Sequence, residues 1–271
     1  MKKKFKLGVI GAGFMSYSIV KGVLNSSFLS PKSVLVSDIN ADSLKKFIDL
    51  GAKVTTDNGE ITDNSEFVLL AVKPQNFSDA VKNVVFTDNN KIISIMAGVK
   101  KSSIKRIIDN PSIKIARCMP NAPCSVGCGA VGIDITDFTE DNDVTFIKGL
   151  FLSFSELATV TEDKLNAVTG ISGSSPAYFY LFIKHLIEAG VKNGLDPADA
   201  KKLAVKTMIG SGKILLENDT VPIDDLISSV CSKGGTTIEA INRFNDSDFK
   251  DVIIEAVDKC IKKADVLEKN I

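Results

Sequence analysis

Two hydrophobic rhythms divide this chain. In residues 1–161 short apolar runs alternate with amphipathic stretches. The runs Phe5–Ile10, Val34–Ser37, Lys53–Thr55, Phe67–Ala71, Lys91–Ile95, Ile113–Met119 and Ala130–Ile135 read as strands. Between them, Ala41–Leu50, closed by Gly51, and Lys101–Ile108, closed by Asp109-Asn110-Pro111, repeat at helical spacing. This alternation predicts an α/β domain, a doubly wound and mainly parallel sheet with helices on both faces. Leu157–Thr161 is expected to be its last strand.

From Asp163 onward the strand pattern stops. Ser175 is expected to cap a long helix whose first residue is Pro176 and which Asn193-Gly194 ends. Asp196-Pro197 opens another, running through Leu203 and Met208 towards Glu217, and further helices follow Pro222, Thr236 and Phe249. The first of these helices is apolar nearly all round from Ala177 to Ile183. Such a helix is buried on every side, and in a small helical domain the simplest cover is another subunit. The chain therefore reads as two domains, residues 1–161 and an all-helical 162–271 that carries the dimer contact.

Charge and composition narrow the class. Lys plus Arg and Asp plus Glu number 33 each, so no net charge draws the chain to nucleic acid or to an anionic membrane. No stretch approaches the roughly 20 apolar residues of a membrane span. The basic start Lys2-Lys3-Lys4 and the apolar Leu7–Met15 faintly imitate a secretory signal, but Gly11 and Gly13 interrupt the run and no small-x-small site closes it. Cys118, Cys124, Cys128, Cys231 and Cys260 are odd in number and match no zinc spacing. Although the first three cluster, the expectation is reduced thiols in a cytoplasmic protein and no metal. His185, the sole histidine, lies in an apolar helical stretch and reads as structural.

Gly11-Ala12-Gly13 follows the first strand directly and runs into a helix near Phe14. The first glycine makes the turn, the second lets backbone approach a pyrophosphate, and the helix start turns its N–H groups towards that anion. Ser16 takes the third small position. Asp38 ends the second strand, where a carboxylate accepts hydrogen bonds from ribose hydroxyls and repels a 2′-phosphate. Ile39-Asn40-Ala41 follow without an arginine, which favours NAD over NADP. Three more blocks fall at strand ends on the same rim: Ala71-Val72-Lys73-Pro74-Gln75, Met96-Ala97-Gly98, and Arg117-Cys118-Met119-Pro120-Asn121-Ala122-Pro123, the last expected as a rigid loop. In the helical half, Ser232-Lys233-Gly234-Gly235-Thr236-Thr237 opens a helix with exposed N–H groups and two hydroxyls. That arrangement serves as a carboxylate receptor or as a plain helix cap.

Together with Gly170-Ile171-Ser172-Gly173-Ser174-Ser175-Pro176-Ala177-Tyr178, these blocks make the chain resemble the pyrroline-5-carboxylate reductases over almost its whole length. The resemblance implies a Rossmann domain, a helical domain interlocked with a partner's, and a site between cofactor rim and helical domain. It implies that Ile10, Gly11, Ala12, Gly13, Phe14, Met15, Asn58, Ala71, Val72, Lys73, Pro74, Met96 and Ala97 contact NAD(H) or NADP(H). Ser232, Gly234, Gly235 and Thr236 are implied to hold the carboxylate of 1-pyrroline-5-carboxylate, with the catalytic Thr237 hydroxyl facing the imine nitrogen and L-proline as product. Three departures stand out. Lys233 replaces a usual proline, Ser175 a usual glycine, and Asp38-Ile39 a usual Asn-Arg, which puts the usual NADP preference in doubt and favours NADH. Two other readings compete. One is a β-hydroxyacid dehydrogenase with Lys184 as its catalytic lysine, which leaves the Gly-Gly-Thr-Thr block unexplained. The other is a non-catalytic dinucleotide sensor, for which Lys233 and Ser175 would speak.

Overall fold

The structure is a computed structural model that describes residues 3–269. Lys2 of the basic start, and the outermost residues of both expected domains, lie outside it. The chain runs β1 (Phe5–Ile10), α1 (Phe14–Asn25), β2 (Val34–Ser37), α2 (Ala41–Asp49), β3 (Lys53–Thr55), α3 (Asn58–Asn64) and β4 (Ser65–Leu70). It continues through α4 (Phe77–Val81), β5 (Lys91–Ser94), α5 (Lys101–Ile107), β6 (Lys114–Met119), β7 (Gly129–Asp134), α6 (Asp141–Leu152) and β8 (Ser155–Thr159). Helices follow: α7 (Leu165–Val168), a π turn (Thr169–Gly173), α8 (Ser175–Lys192), α9 (Pro197–Glu217), α10 (Ile223–Ser229), α11 (Thr236–Asn245) and α12 (Phe249–Lys269).

The strands form one sheet in the order β3-β2-β1-β4-β5-β6-β7-β8. All neighbours are parallel except β6 and β7. The order 3-2-1-4-5-6 is that of a dinucleotide-binding doubly wound sheet. Alternation along the strands supplies both faces. In β4, Phe67 and Leu69 join a core with α1, α2 and α6, while Val68 and Leu70 join a second with α3, α4 and α5.

The chain divides into two compact units. One holds the residues up to Pro176 together with those from Lys259; the other is Ala177–Asp258. The last turns of α12 are thus part of the sheet-bearing unit. There Arg117 of β6 meets Glu268 at 2.8 Å and Glu162 at 3.3 Å. Lys100 reaches Glu268 at 3.3 Å, and the Asn166 amide donates to Asp265 at 2.7 Å. Nearby, Lys101 joins Asp134 at 2.8 Å and Asp137 at 2.9 Å. Burial opposes the charge on Lys101, but hydrogen bonds and attraction from the two carboxylates outweigh it and hold its pKa above the usual lysine value.

The all-helical unit has little interior of its own. Of the α8 residues expected to be buried all round, Phe179 is 56% exposed, Tyr180 65%, Leu181 56% and Phe182 47% in the single chain. Leu203, Ile209, Ile214 and Leu216 on α9 are also exposed. Apolar surface of this extent on consecutive helices marks an association face.

One local expectation needs correction. Ser175 does not cap α8. The helix begins at Ser175 itself, one residue after the π turn, with its hydroxyl donating to the Ser172 carbonyl at 3.5 Å and Pro176 at the second position. Arg117, Cys118 and Met119 lie at the end of β6, as the strand run Ile113–Met119 predicts, with Arg117 pairing with Ser94 and Asp134 across the sheet, so the rigid loop begins only at Pro120. His185 is exposed on α8 in the single chain and lies 2.8 Å from Glu188.

Candidate active site

The cofactor side is assembled at the carboxyl ends of β1, β2, β4 and β5. Ile10 ends β1, its carbonyl accepting from Ala71 N–H at 2.9 Å, while Gly11 N–H donates to the Ser37 carbonyl at 2.8 Å. Gly11 has φ +104, and a Cβ there would lie 2.8 Å from the Ala71 carbonyl oxygen. Only glycine fits both demands, and the contact ties the glycine-rich turn to the Ala71-Val72-Lys73-Pro74 loop. Gly13 is the N-cap of α1 without any side-chain cap, and a Cβ placed on it would meet nothing within 4 Å. The helix start therefore opens onto free space, as a bound pyrophosphate requires. Phe14 is exposed beside it, Met15 is half-buried, and Ser16 is buried with its hydroxyl donating to the Gly13 carbonyl at 3.2 Å.

Asp38 lies just beyond β2. One carboxylate oxygen accepts from Ala12 N–H and the other from Asn40 N–H, both at 2.8 Å. Asn40, not Asp38, caps α2 by accepting from Asp42 N–H at 3.0 Å. A carboxylate has about four acceptor positions, so Asp38 braces the turn and retains capacity for ribose hydroxyls. Asn58 opens α3, which Asp57 caps. Its amide donates to the Ala80 carbonyl at 2.8 Å and accepts from the Ser37 hydroxyl at 2.7 Å. On the next loops Val72 and Pro74 are half-buried and Lys73 is exposed, Met96 is buried, and Ala97 is exposed.

The loop after β6 owes its rigidity to more than its prolines. Asn121 is buried, donates to the Ser172 carbonyl at 3.2 Å and accepts from Ala130 N–H at 3.0 Å. It thereby joins the loop, β7 and the π turn, while α1 packs against Ala122–Val126. Two more residues bear on the site without a sequence signal of their own. Lys46 of α2 donates to the Gly13 carbonyl at 3.1 Å. Glu268 of α12 holds Arg117 at the base of that loop.

In the helical unit, Gly235 N–H donates to the Ser232 carbonyl at 2.9 Å and closes a four-residue turn. Gly234 stands third in it with φ +72, a conformation open to glycine. Lys233 occupies the second position, where proline would preset the backbone but most residues are accepted. Gly235 is the N-cap of α11, again with no side-chain cap, and Thr236 and Thr237 are exposed in its first turn. The expected carboxylate receptor therefore has free N–H groups and two available hydroxyls. Lys184 is exposed on α8 and lies 3.8 Å from Glu188.

Two of the clustered cysteines, Cys118 and Cys124, are ill suited to thiolate chemistry. Burial, with the nearby Asp134 carboxylate, pushes the Cys118 thiol well above its usual pKa, and burial also raises Cys124. Among the described residues no group of three His, Cys, Asp or Glu side chains is placed to hold a metal, and no helix is long and apolar enough to cross a membrane.

A Rossmann sheet with an open dinucleotide turn, joined to helices that expose an association face, defines a nicotinamide-dependent oxidoreductase that self-associates. The family profile described as pyrroline-5-carboxylate reductase dimerisation matches residues 162–267, and one described as NADP oxidoreductase, coenzyme F420-dependent, matches residues 6–98. The pyrroline-5-carboxylate reductase of Escherichia coli is 31% identical over 98% of this chain and 99% of its own; that of Synechocystis is 34% identical over 97% and 98%. The Plasmodium falciparum enzyme solved with NADP bound superposes with TM-score 0.87 at 26% identity, covering 99% of this chain and 100% of its own. The Coxiella burnetii enzyme does so with TM-score 0.89 at 28% identity, covering 98% and 99%. The chain belongs to the pyrroline-5-carboxylate reductase family, and it binds NAD(P)H.

Proposed function

We propose that this protein reduces 1-pyrroline-5-carboxylate to L-proline, the last step of proline synthesis, with NADH preferred over NADPH. The observation that carries the reading is the end-to-end similarity to reductases of this name at 31% and 34% identity. Residues 1–161 are assigned to the nucleotide and residues 162–271 to the substrate and the partner subunit. Ile10–Met15, Asn58, Ala71–Pro74, Met96 and Ala97 hold the cofactor, with Asp38 on the adenosine ribose. The open helix start at Gly13 and the braced carboxylate of Asp38 support this set.

The bound cofactor supplies a hydride to the imine carbon. Ser232, Gly234, Gly235 and Thr236 hold the substrate carboxylate at the start of α11, which fixes the ring face presented to that hydride. The Thr237 hydroxyl hydrogen-bonds the imine nitrogen, which carries the proton of the protonated imine and becomes the amine of proline. A protonated imine is already electrophilic, so the chain needs no histidine base, and the exposed His185 and Lys184 have no part in the reaction. Asp38, with no arginine after it, supports the NADH preference. The free cysteines support a cytoplasmic setting, and the balanced charge supports the absence of nucleic-acid and membrane partners.

The deciding experiment supplies 1-pyrroline-5-carboxylate with each reduced nucleotide and measures nucleotide oxidation and proline. The expected result is proline formation with higher kcat/KM for NADH. Folded protein that forms no proline at saturating substrate overturns the reading and leaves the dinucleotide sensor.

A further inference from the structure

Lys46 belongs to α2, the helix that follows the ribose-side strand β2, yet it reaches out of that helix to the glycine-rich turn. Its ammonium donates to the Gly13 carbonyl at 3.1 Å. The rings of Tyr17 and Phe47 flank it, each centroid 5.4 Å from the nitrogen, so the aliphatic stem is fixed along aromatic faces. The neighbouring Lys45 behaves as a surface lysine and pairs with Asp42 at 2.7 Å. Among the described residues no carboxylate pairs with Lys46. An ammonium has three donors, and only one of these is used by Gly13.

Asp38 and Lys46 touch consecutive residues of the same turn. Asp38 accepts from Ala12 N–H at 2.8 Å, and Lys46 donates to the Gly13 carbonyl at 3.1 Å. An anion and a cation thus each bind the turn between β1 and α1, without forming an ion pair with one another. Asp38 suits ribose hydroxyls and opposes a 2′-phosphate. The ammonium acts in the opposite sense. A hydroxyl offers it no net charge, whereas a phosphate monoester brings roughly −1.5 to −2 at pH 7. The pyrophosphate common to both nucleotides is the business of the N–H groups at the start of α1, which need no lysine.

We propose that Lys46 is a specificity-determining residue that admits the 2′-phosphate of NADPH beside Asp38. Asp38 sets the direction of the cofactor preference and Lys46 sets its size, so the protein retains NADPH as a working cofactor. The inference rests on the assignment of Asp38 to the adenosine ribose.

The test is equilibrium titration of NADH and of NADPH, separately, into the full protein and its Lys46→Met and Lys46→Arg variants, at low and high salt. Methionine keeps the stem over Tyr17 and removes the charge; arginine keeps the charge. Lys46→Met should weaken NADPH about tenfold or more at low salt and leave NADH within about twofold. Lys46→Arg should hold both affinities within about threefold of wild type. Rising salt should weaken NADPH more than NADH in wild type, and that difference should shrink in Lys46→Met. Retained NADH binding certifies that the variant is folded. Equal weakening of both nucleotides assigns the ammonium to a shared phosphate and overturns the proposal, as does unchanged NADPH binding. Wild-type protein that binds neither nucleotide removes the cofactor assignment itself, an outcome distinct from failure at Lys46.

Discussion

Replacing Arg117 with methionine tests what holds the end of the chain against the sheet. The Arg117 side chain is 4% exposed and its guanidinium lies 2.8 Å from Glu268 and 3.3 Å from Glu162. Methionine keeps much of the stem and removes the charge. Removing one partner of a buried ion pair costs about 3–5 kcal/mol, because the other charge stays behind without compensation. Here Glu268, 11% exposed, keeps Lys100 at 3.3 Å and the Asn166 amide at 3.3 Å, while Glu162 is 26% exposed and keeps the Lys101 N–H at 2.7 Å. That residual compensation puts the expected loss at the lower end, about 3 kcal/mol. The double variant Arg117→Met, Glu268→Leu strands no carboxylate at position 268 and should recover about 1–2 kcal/mol of the loss. Urea unfolding at a fixed protomer concentration measures both, with the midpoint shifting at constant slope. An Arg117→Met protein within about 0.5 kcal/mol of wild type refutes the reasoning, since that is the scale of an ordinary surface substitution. So does a double variant less stable than Arg117→Met.

Three further outcomes are expected. Thr237→Ala should lower kcat/KM by one or two powers of ten, since a hydrogen bond to a charged group contributes about 1.5–3 kcal/mol, while Thr237→Ser keeps most activity and nucleotide binding hardly moves; steady-state kinetics beside a cofactor titration decide it, and a wild-type rate in Thr237→Ala removes the hydroxyl from the reaction. Asp38→Asn with Ile39→Arg should shift the kcat/KM ratio towards NADPH, as measured with both nucleotides, and an unchanged ratio would show that cofactor choice is set elsewhere. Stability should fall in acid: burial works against the charges of Asp134, Asp137 and Glu66, but hydrogen bonds from Lys101, Lys105, Lys6 and Lys91 outweigh it and hold all three carboxyls below their usual pKa. Their folded pKa values lie below the unfolded ones, so this stabilisation is complete above about pH 5 and is lost as pH falls through about 4 and below; urea midpoints that stay constant down to about pH 2 contradict it.

The parts of this molecule legible in the sequence are those whose backbone leaves few alternatives. Gly11 needs positive φ and a near approach to Ala71, so its glycine is visible as a motif. Short apolar runs announce the strands because both faces of the sheet are covered. Strand starts were less legible: β4 begins at Ser65 and β8 at Ser155, each two residues before its apolar run, because polar residues complete the pairing with Phe5 and Gly129. The start of α8 is obscured for a related reason. Ser, Gly and Pro around position 175 resemble a loop and a cap, yet the Thr169 and Ser172 hydroxyls donate to carbonyls four residues back at 3.0 and 3.1 Å. These bonds accompany a π turn that extends α7 to within one residue of α8. Arg117 resembles rim chemistry because it adjoins the proline loop, yet its burial is explained by Glu162 and by Glu268, the latter 151 residues away.

The cofactor rim shows why motif and support separate in this way. Met96 and Ala97 are small or flexible apolar residues with no chemistry of their own to declare. Their course is fixed by Gly98, whose φ is +70 and whose Cβ, if present, would lie 3.3 Å from Leu267 Cβ and 3.4 Å from the backbone nitrogen of Glu268. The strand-end loop assigned to the nicotinamide therefore rests directly on the last turn of α12. That turn is held in place by Arg117, Lys100 and Asn166 through Glu268. A local pattern can identify a residue that touches a ligand, because the ligand's chemistry restricts the residue type. It cannot identify the residue that fixes the position, because any well-packed side chain or satisfied ion pair would do, and here the supporting groups come from distant parts of the chain. The same distinction separates Asp38 from Lys46. The carboxylate proposed for the ribose follows a strand end, a place a sequence pattern marks, while the lysine reaches the same turn from α2, a helix position that no cofactor pattern marks.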